Sequence, residues 1–210
     1  MIKIYGQAGT RSTRVLWALE EAGAHYEFIT VDLGKGDARQ EVYLKLNPGG
    51  KVPSLVHNDL VLTESAAICT YIGDLFPDSK LVPTTSNSSN RARYNQACYF
   101  AMTELEQALW SMAKHRFALP KKFRIREMIT TATYEYEKAL DVFSLRLGDR
   151  QFLVGDDFTC ADIITASILK WATQGGKRAL SLRHENVERY LDEMLARDAF
   201  VQALNREQKS

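Results

Sequence analysis

The sequence contains no apolar run of about 18 residues, the length a membrane-spanning helix needs, so an integral helical membrane protein is excluded. Cysteine is scarce. Cys69, Cys98 and Cys160 lie far apart and form no C-x-x-C pair, which argues against a dithiol redox motif and against a zinc cluster, and no metal is expected. Each thiol sits among apolar neighbours, the setting of a buried, inert cysteine. Charge of one sign is also lacking: 27 Lys and Arg face 26 Asp and Glu, a net charge of +1. Nucleic-acid binders usually carry a basic surplus, so none is expected as a partner. One local basic stretch, Lys121, Lys122, Arg124 and Arg126, reads as a solvated helix face, with an anion or partner patch as the alternative. The N-terminus, Met1 to Tyr5, enters a strand pattern at once and lacks the blocks of a signal peptide. Together these features point to a reducing cytosol.

What is present is a chain of 210 residues, 45% apolar, enough for one large core or two smaller ones. The first 80 residues alternate strand and helix signals. Ile2–Tyr5 and Tyr26–Val31 read as strands. Thr10–Gly23 reads as a helix with Val15, Leu16, Leu19 and Ala22 on one face. Ala38–Leu46 reads as a second helix. Ser54–Val56 and Leu60–Leu62, split by Asn58-Asp59, read as a hairpin, and Glu64–Phe76 as a helix ended by Pro77. The order β-α-β-α-β-β-α implies a parallel pair joined by a crossover, with an antiparallel edge added by the hairpin.

Composition then changes. Residues 81–90, which include the polar run Pro83–Asn90, read as a linker, and residues 91–210 as an all-helical second domain. Tyr94, Ala97, Ala101, Leu105, Ala108 and Met112 recur at helical spacing, as do Ile129, Ala132, Tyr136, Leu140, Phe143 and Leu147. Two further helices fall near Thr159–Ala172 and His184–Ala196, and a short last one ends near Leu204.

Four local features can carry chemistry or folding. Gly9–Arg14 gathers hydroxyls at a helix start, where unpaired N–H groups give positive potential; an ordinary N-cap is the plainer reading. Val52-Pro53-Ser54 precedes a strand, and a cis bond there would leave the Val52 backbone free to bond an extended peptide. At Thr63–Ile68, Ser65 and the helix N–H groups suit a carboxylate and Glu64 suits an ammonium, with capping as the alternative. Thr159-Cys160-Ala161-Asp162 has the pattern of a capping box and is assigned a folding role.

In this order and spacing the motifs Asn47–Leu55, Glu64–Ile68 and Thr159–Asp162 resemble those of the soluble glutathione transferases, along nearly the whole chain. The resemblance implies a thioredoxin-like first domain (β-α-β-α-β-β-α) at residues 1–80 and an all-α domain at 91–210. It also implies a cis-proline at Pro53 and nearest similarity to bacterial classes. Glutathione is implied as co-substrate. Val52 would bond its cysteinyl unit, Glu64 and Ser65 its γ-glutamyl end, and Lys51, helped by Lys35, its glycyl carboxylate. The sulfur partner is ranked Thr10, then Ser12, then Arg11. No tyrosine or cysteine stands at the positions where other members keep one, and Glu106 stands where one class has a histidine.

A hydroxyl at a helix start is sufficient for the task. A free thiol has a pKa of about 8.5, and half-ionising it at neutrality requires about 2 kcal/mol. A hydrogen bond to a charged acceptor contributes about 1.5–3 kcal/mol, and a helix N-terminus about 0.3–1 kcal/mol. Arg11 or Arg14 would add to this if turned inward. The thiolate would attack a small hydrophobic electrophile held between the domains. Candidate walls are Tyr99, Met102, Trp110, Phe117 and Trp171, with Trp110 and Phe117 preferred. Phe100 and Tyr94 equally suit the interface of a homodimer, the usual state in this family. A detoxifying transferase is the expected function. The alternatives are a non-catalytic glutathione-binding or assembly module and a glutathione-dependent peroxidase or reductase.

Overall fold

The computed structural model describes residues 1–174, 176 and 179–208. Its first part is a four-stranded sheet in the order β2-β1-β3-β4. β1 (Ile2–Gly6) pairs parallel with β2 (Tyr26–Thr30) and antiparallel with β3 (Ser54–His57), which turns through Asn58 and Asp59 into β4 (Leu60–Thr63). The crossover between β1 and β2 is α1 (Ser12–Glu21), and the sheet is completed by α2 (Glu41–Leu46) and α3 (Ser65–Leu75). The order β-α-β-α-β-β-α expected from periodicity is therefore observed, as is the thioredoxin-like arrangement that the resemblance implies.

The region expected as one helix from Ala38 is broken. A 3₁₀ turn at Asp37–Arg39 gives way to α2 across Gln40, whose ψ of 145° is extended. α1 departs from a one-faced helix in the other direction. Val15 to Leu19 are all at 0% exposure, because the helix is wrapped by the sheet and α3 on one side and by helices of the second part on the other. Trp17 shows the consequence: it is fully buried, packs at a tilt against Phe158 and Phe200, and still donates to Glu21 Oε1 at 3.0 Å.

The second part contains α4 (Ser88–Phe100), α5 (Gln107–Ala113), α6 (Glu127–Leu147), α7 (Cys160–Thr173), α8 (Glu185–Leu195) and α9 (Asp198–Gln208). α4 and α5 are one continuous rod. π-helical turns at Ala101–Glu106 and Lys114–Ala118 link them and extend the rod beyond the end of its apolar stripe at Met112. Asn87 caps the rod through the Asn90 amide, so helix begins inside the segment read as linker, where Leu81 and Val82 are buried as well. Gly73 makes that burial possible: a Cβ there would lie 2.4 Å from Val82 Cγ2. The last helix runs past Leu204 to Gln208.

Two expectations change. The basic stretch is no helix face: Lys121–Phe123 is a 3₁₀ turn, and Arg124 donates to the carbonyls of Leu119, Arg116 and Phe117, closing the end of the π-helical turn. Tyr94 is no interface residue, since it is at 0% exposure and its hydroxyl meets Thr70 Oγ1 at 2.7 Å. The capping box is present. Asp162 accepts from the Thr159 amide and hydroxyl, the Leu153 amide and the Tyr190 hydroxyl. Burial pushes its carboxyl up to about 6 even against these four donors. Among the described residues no helix is long and apolar enough to cross a membrane, and no group of His, Cys, Asp and Glu could hold a metal ion.

Candidate functional site

The site is built at the start of α1. The Thr10 hydroxyl donates to the Gln7 carbonyl at 2.6 Å and lies 2.9 Å from Ser12 Oγ. Its single proton is held within the loop. Ser12 is at 0% exposure, and its oxygen also accepts the Gln7 amide at 3.2 Å. It fits there only because Gly6 has no side chain; a Cβ on Gly6 would lie 2.6 Å from Ser12 Oγ. Ser12 therefore supports the loop from beneath, and Thr10 and Arg11 are the residues that line a cavity here. From the far end of the chain, Glu207 on α9 accepts the Gly9 amide at 3.3 Å and the Thr13 hydroxyl at 2.5 Å.

Glu106 lies at the centre of the site. This residue of the second part is 2% exposed and is gripped by Arg14, itself 2% exposed. Arg14 Nη2 is 2.5 Å from Glu106 Oε1 and Nη1 is 3.1 Å from Oε2. Arg11 Nε adds a third contact at 2.8 Å. Burial alone would raise the Glu106 carboxyl, but the two guanidiniums, Arg14 foremost, outweigh it and hold it below its ordinary value. Arg14 Nη1 also reaches Ser65 Oγ at 3.3 Å, so one side chain ties the start of α1 to the start of α3. Arg11 keeps the rest of its guanidinium between Trp110 and Trp171, at 5.3 and 5.9 Å from the ring centres.

At the second helix start, Ser65 is buried, while the Glu64 side chain is exposed and has no ion-pair partner among the described residues. Glu64 holds φ 67° and ψ 107°. A non-glycine residue there carries about 1–3 kcal/mol of strain, which tends to persist where geometry serves a ligand. The Val52–Pro53 bond is cis, as expected. The Lys51 carbonyl accepts from the Tyr43 hydroxyl at 2.5 Å and from Asn47 Nδ2 at 2.8 Å, which anchors this loop beneath an exposed Lys51 side chain. Lys35 is solvent-exposed and paired with Asp32 at 3.1 Å.

Two cavities meet at Gly9, Trp171 and Gln174. One, of about 110 Å³, includes Thr10, Arg11, Thr13 and Arg14 in its wall; the other, of about 340 Å³, includes Leu109, Met112, Ala113, Arg116 and Phe117. Of the residues expected to hold a second substrate, Phe117 and Trp171 thus line a cavity. Trp110 lies against Arg11, and the Met102 sulfur is 3.7 Å from Arg14 Nη1. Tyr99 is 67% exposed and lines neither cavity, a correction that follows from its position on the outer face of α4. Sequence reasoning gave Glu106 no role, because Glu104 and Glu106 flank Leu105 alike and only the structure shows that Glu106 is the buried one. The three cysteines are buried, as expected. Burial pushes the Cys98 thiol up to about 12 and the Cys160 thiol well above its usual value.

Comparison with known proteins agrees with this geometry. Residues 1–74 match the model of the glutathione S-transferase N-terminal domain, and residues 106–198 match that of the C-terminal domain. The chain is 31% identical to glutathione S-transferase hmp2 of the fungus Hypomyces subiculosus, over 97% of each chain. A solved glutathione transferase of the bacterium Methylococcus capsulatus superposes with a TM-score of 0.86 at 29% identity, over all of both chains. A fungal relative, URE2P6 of Phanerochaete chrysosporium, was solved in complex with oxidised glutathione and superposes with a TM-score of 0.85 at 25% identity, over 99% of this chain and 96% of that one. The chain therefore belongs to the glutathione S-transferase family.

Proposed function

We propose that this protein is a glutathione transferase that stabilises the thiolate of glutathione at the start of α1 and directs it at a small hydrophobic electrophile. The observation that carries this reading is the Arg14 side chain, which ties the start of α1 to Ser65 at the start of α3 beside two cavities that share Gly9 in their walls. The γ-glutamyl end would take Ser65 and Glu64, the cysteinyl unit the Val52 backbone beside Pro53, and the glycyl carboxylate Lys51. Lys35 contributes through long-range attraction at most, being paired and exposed.

The sulfur would lie at Gly9–Arg11. Thr10 can donate to it by releasing the Gln7 carbonyl, and the Arg11 N–H groups not used by Glu106 add a cation directed into the same cavity. Neither group removes the thiol proton, which leaves to solvent while the thiolate is held by charge-assisted bonds. Buried thiols leave the protein's own cysteines no part in the chemistry. The reading also includes a homodimer working in the cytosol, in detoxification. The test is to titrate the enzyme–glutathione complex by thiolate absorbance. An apparent pKa lowered from about 8.5 towards 7 supports the reading, whereas binding with an unshifted pKa would mark a non-catalytic module.

A further inference from the structure

The cavity of about 340 Å³ beside Gly9 is walled mainly by apolar side chains, among them Leu109, Met112 and Trp171, and Arg116 is its one charged lining residue among the described residues. The Arg116 carbonyl is used by Arg124 at 3.2 Å. Among the described residues, its guanidinium has neither a carboxylate partner nor a ring beneath it. No acid tempers it in sequence either: residues 114–126 hold Lys114, Arg116, Lys121, Lys122, Arg124 and Arg126 and no Asp or Glu. The adjoining cavity has Arg11, Arg14 and Lys170 in its wall, and the carboxylates beside it among the described residues are Glu106, on the arginines, and Glu207, on the Gly9 amide and the Thr13 hydroxyl. The two arginines share the single charge of Glu106, so three cations against two carboxylates leave this cavity with the same sign as its neighbour.

A guanidinium stays charged at every working pH and offers a planar fork that matches a carboxylate. On a mainly apolar wall its field is less screened than in water, so it discriminates between charged and neutral ligands of equal shape. We infer that the second substrate is an amphiphilic anion, an electrophile whose flat apolar body fills the cavity and whose carboxylate pairs with Arg116. This rests on the transferase reading above and adds to it the class of electrophile. With an aryl halide as the case, the sulfur lone pair forms the new bond to the ring carbon. The carbon–halogen bond breaks with its electron pair on the halide, and the thiol proton goes to solvent. No oxidant or reductant is needed. Arg116 is then a specificity residue, remote from the sulfur.

The test compares a chloronitrobenzoate with its methyl ester as electrophiles, using wild type, Arg116→Gln and Arg116→Lys. Loss of one charge-assisted contact predicts a fall of about tenfold or more in kcat/KM for the benzoate in Arg116→Gln, with the ester within about twofold of wild type and Arg116→Lys largely rescued. Thermal melting of all three should coincide, because only the Arg116 backbone is tied into the fold. Equal loss on both probes, or loss on neither, overturns the inference while leaving the transferase reading in place. No turnover of either probe by wild type also overturns the inference, and the transferase reading is then decided by the thiolate titration alone.

Discussion

Glu106 of the second domain closes a two-bond pair with Arg14 of the first, and each side chain is only 3% exposed. This contact binds the two halves of the molecule at the point where the two helix starts meet, and it fixes the direction of Arg11. A buried pair of this kind is weak evidence for stability in itself, but removing one partner leaves an uncompensated charge in the interior.

Glu106→Gln is therefore expected to cost about 3–5 kcal/mol in urea unfolding at neutral pH. The pH dependence has a definite sign. The folded carboxyl lies below its unfolded value, so its contribution is complete above the unfolded pKa of about 4.3 and is lost as pH falls through the lower folded value. The stability gap between wild type and Glu106→Gln should narrow as pH is lowered through that window.

The start of α1 allows its three polar residues to be separated. Thr10→Ala and Arg11→Gln should each lower kcat/KM by about tenfold or more, as expected for loss of a bond to a charged acceptor. Ser12→Ala should act mainly on melting temperature, because Ser12 is fully buried and holds the Gln7 amide and the Thr10 hydroxyl. Steady-state kinetics alongside thermal melts check the division, and unchanged turnover in a Thr10→Ala, Arg11→Gln double variant contradicts it.

At the second helix start, Glu64→Gln and Ser65→Ala should raise KM for glutathione severalfold while changing kcat little, since the groups proposed for the γ-glutamyl end lie far from the reacting atom. Replacing Glu64 by Gly should give a mixed result. The backbone strain at φ 67° is relieved as the carboxylate is lost, so stability rises while glutathione binding weakens.

The cysteines provide a control. Treating the native protein with iodoacetamide near pH 8 should modify none of Cys69, Cys98 and Cys160 and leave activity intact, since all three are buried and the Cys98 thiol is pushed up to about 12. In urea all three should react. Rapid loss of activity in the native state would restore the case for a cysteine mechanism.

The architecture was legible because its signals are local: strand alternation at Ile2–Tyr5, the Asn58-Asp59 turn and the stripe from Tyr94 to Met112 each report on their own segment. The two helix starts were legible for the same reason. The Arg14–Glu106 pair was not, because it joins positions 92 residues apart, and no spacing rule addresses that distance. The burial of Ser12, ranked second as the sulfur's partner, was not legible for a related reason, since it depends on a missing side chain at Gly6. Tyr99 failed as a pocket wall because helical spacing groups residues on one face without saying which face meets the neighbouring domain. The π-helical turns at Ala101–Glu106 and Lys114–Ala118 shift that face along the rod, and nothing in the residue pattern marks them.

The central claim concerns where the tripeptide lies, and a crystal structure of the protein soaked in glutathione measures it directly. The account predicts an extended ligand along the cis-Pro53 loop, with its sulfur within hydrogen-bond reach of Thr10 or Arg11 and its γ-glutamyl carboxylate at Ser65. Density for the sulfur remote from Gly9–Arg11, or for the γ-glutamyl end away from α3, would contradict it.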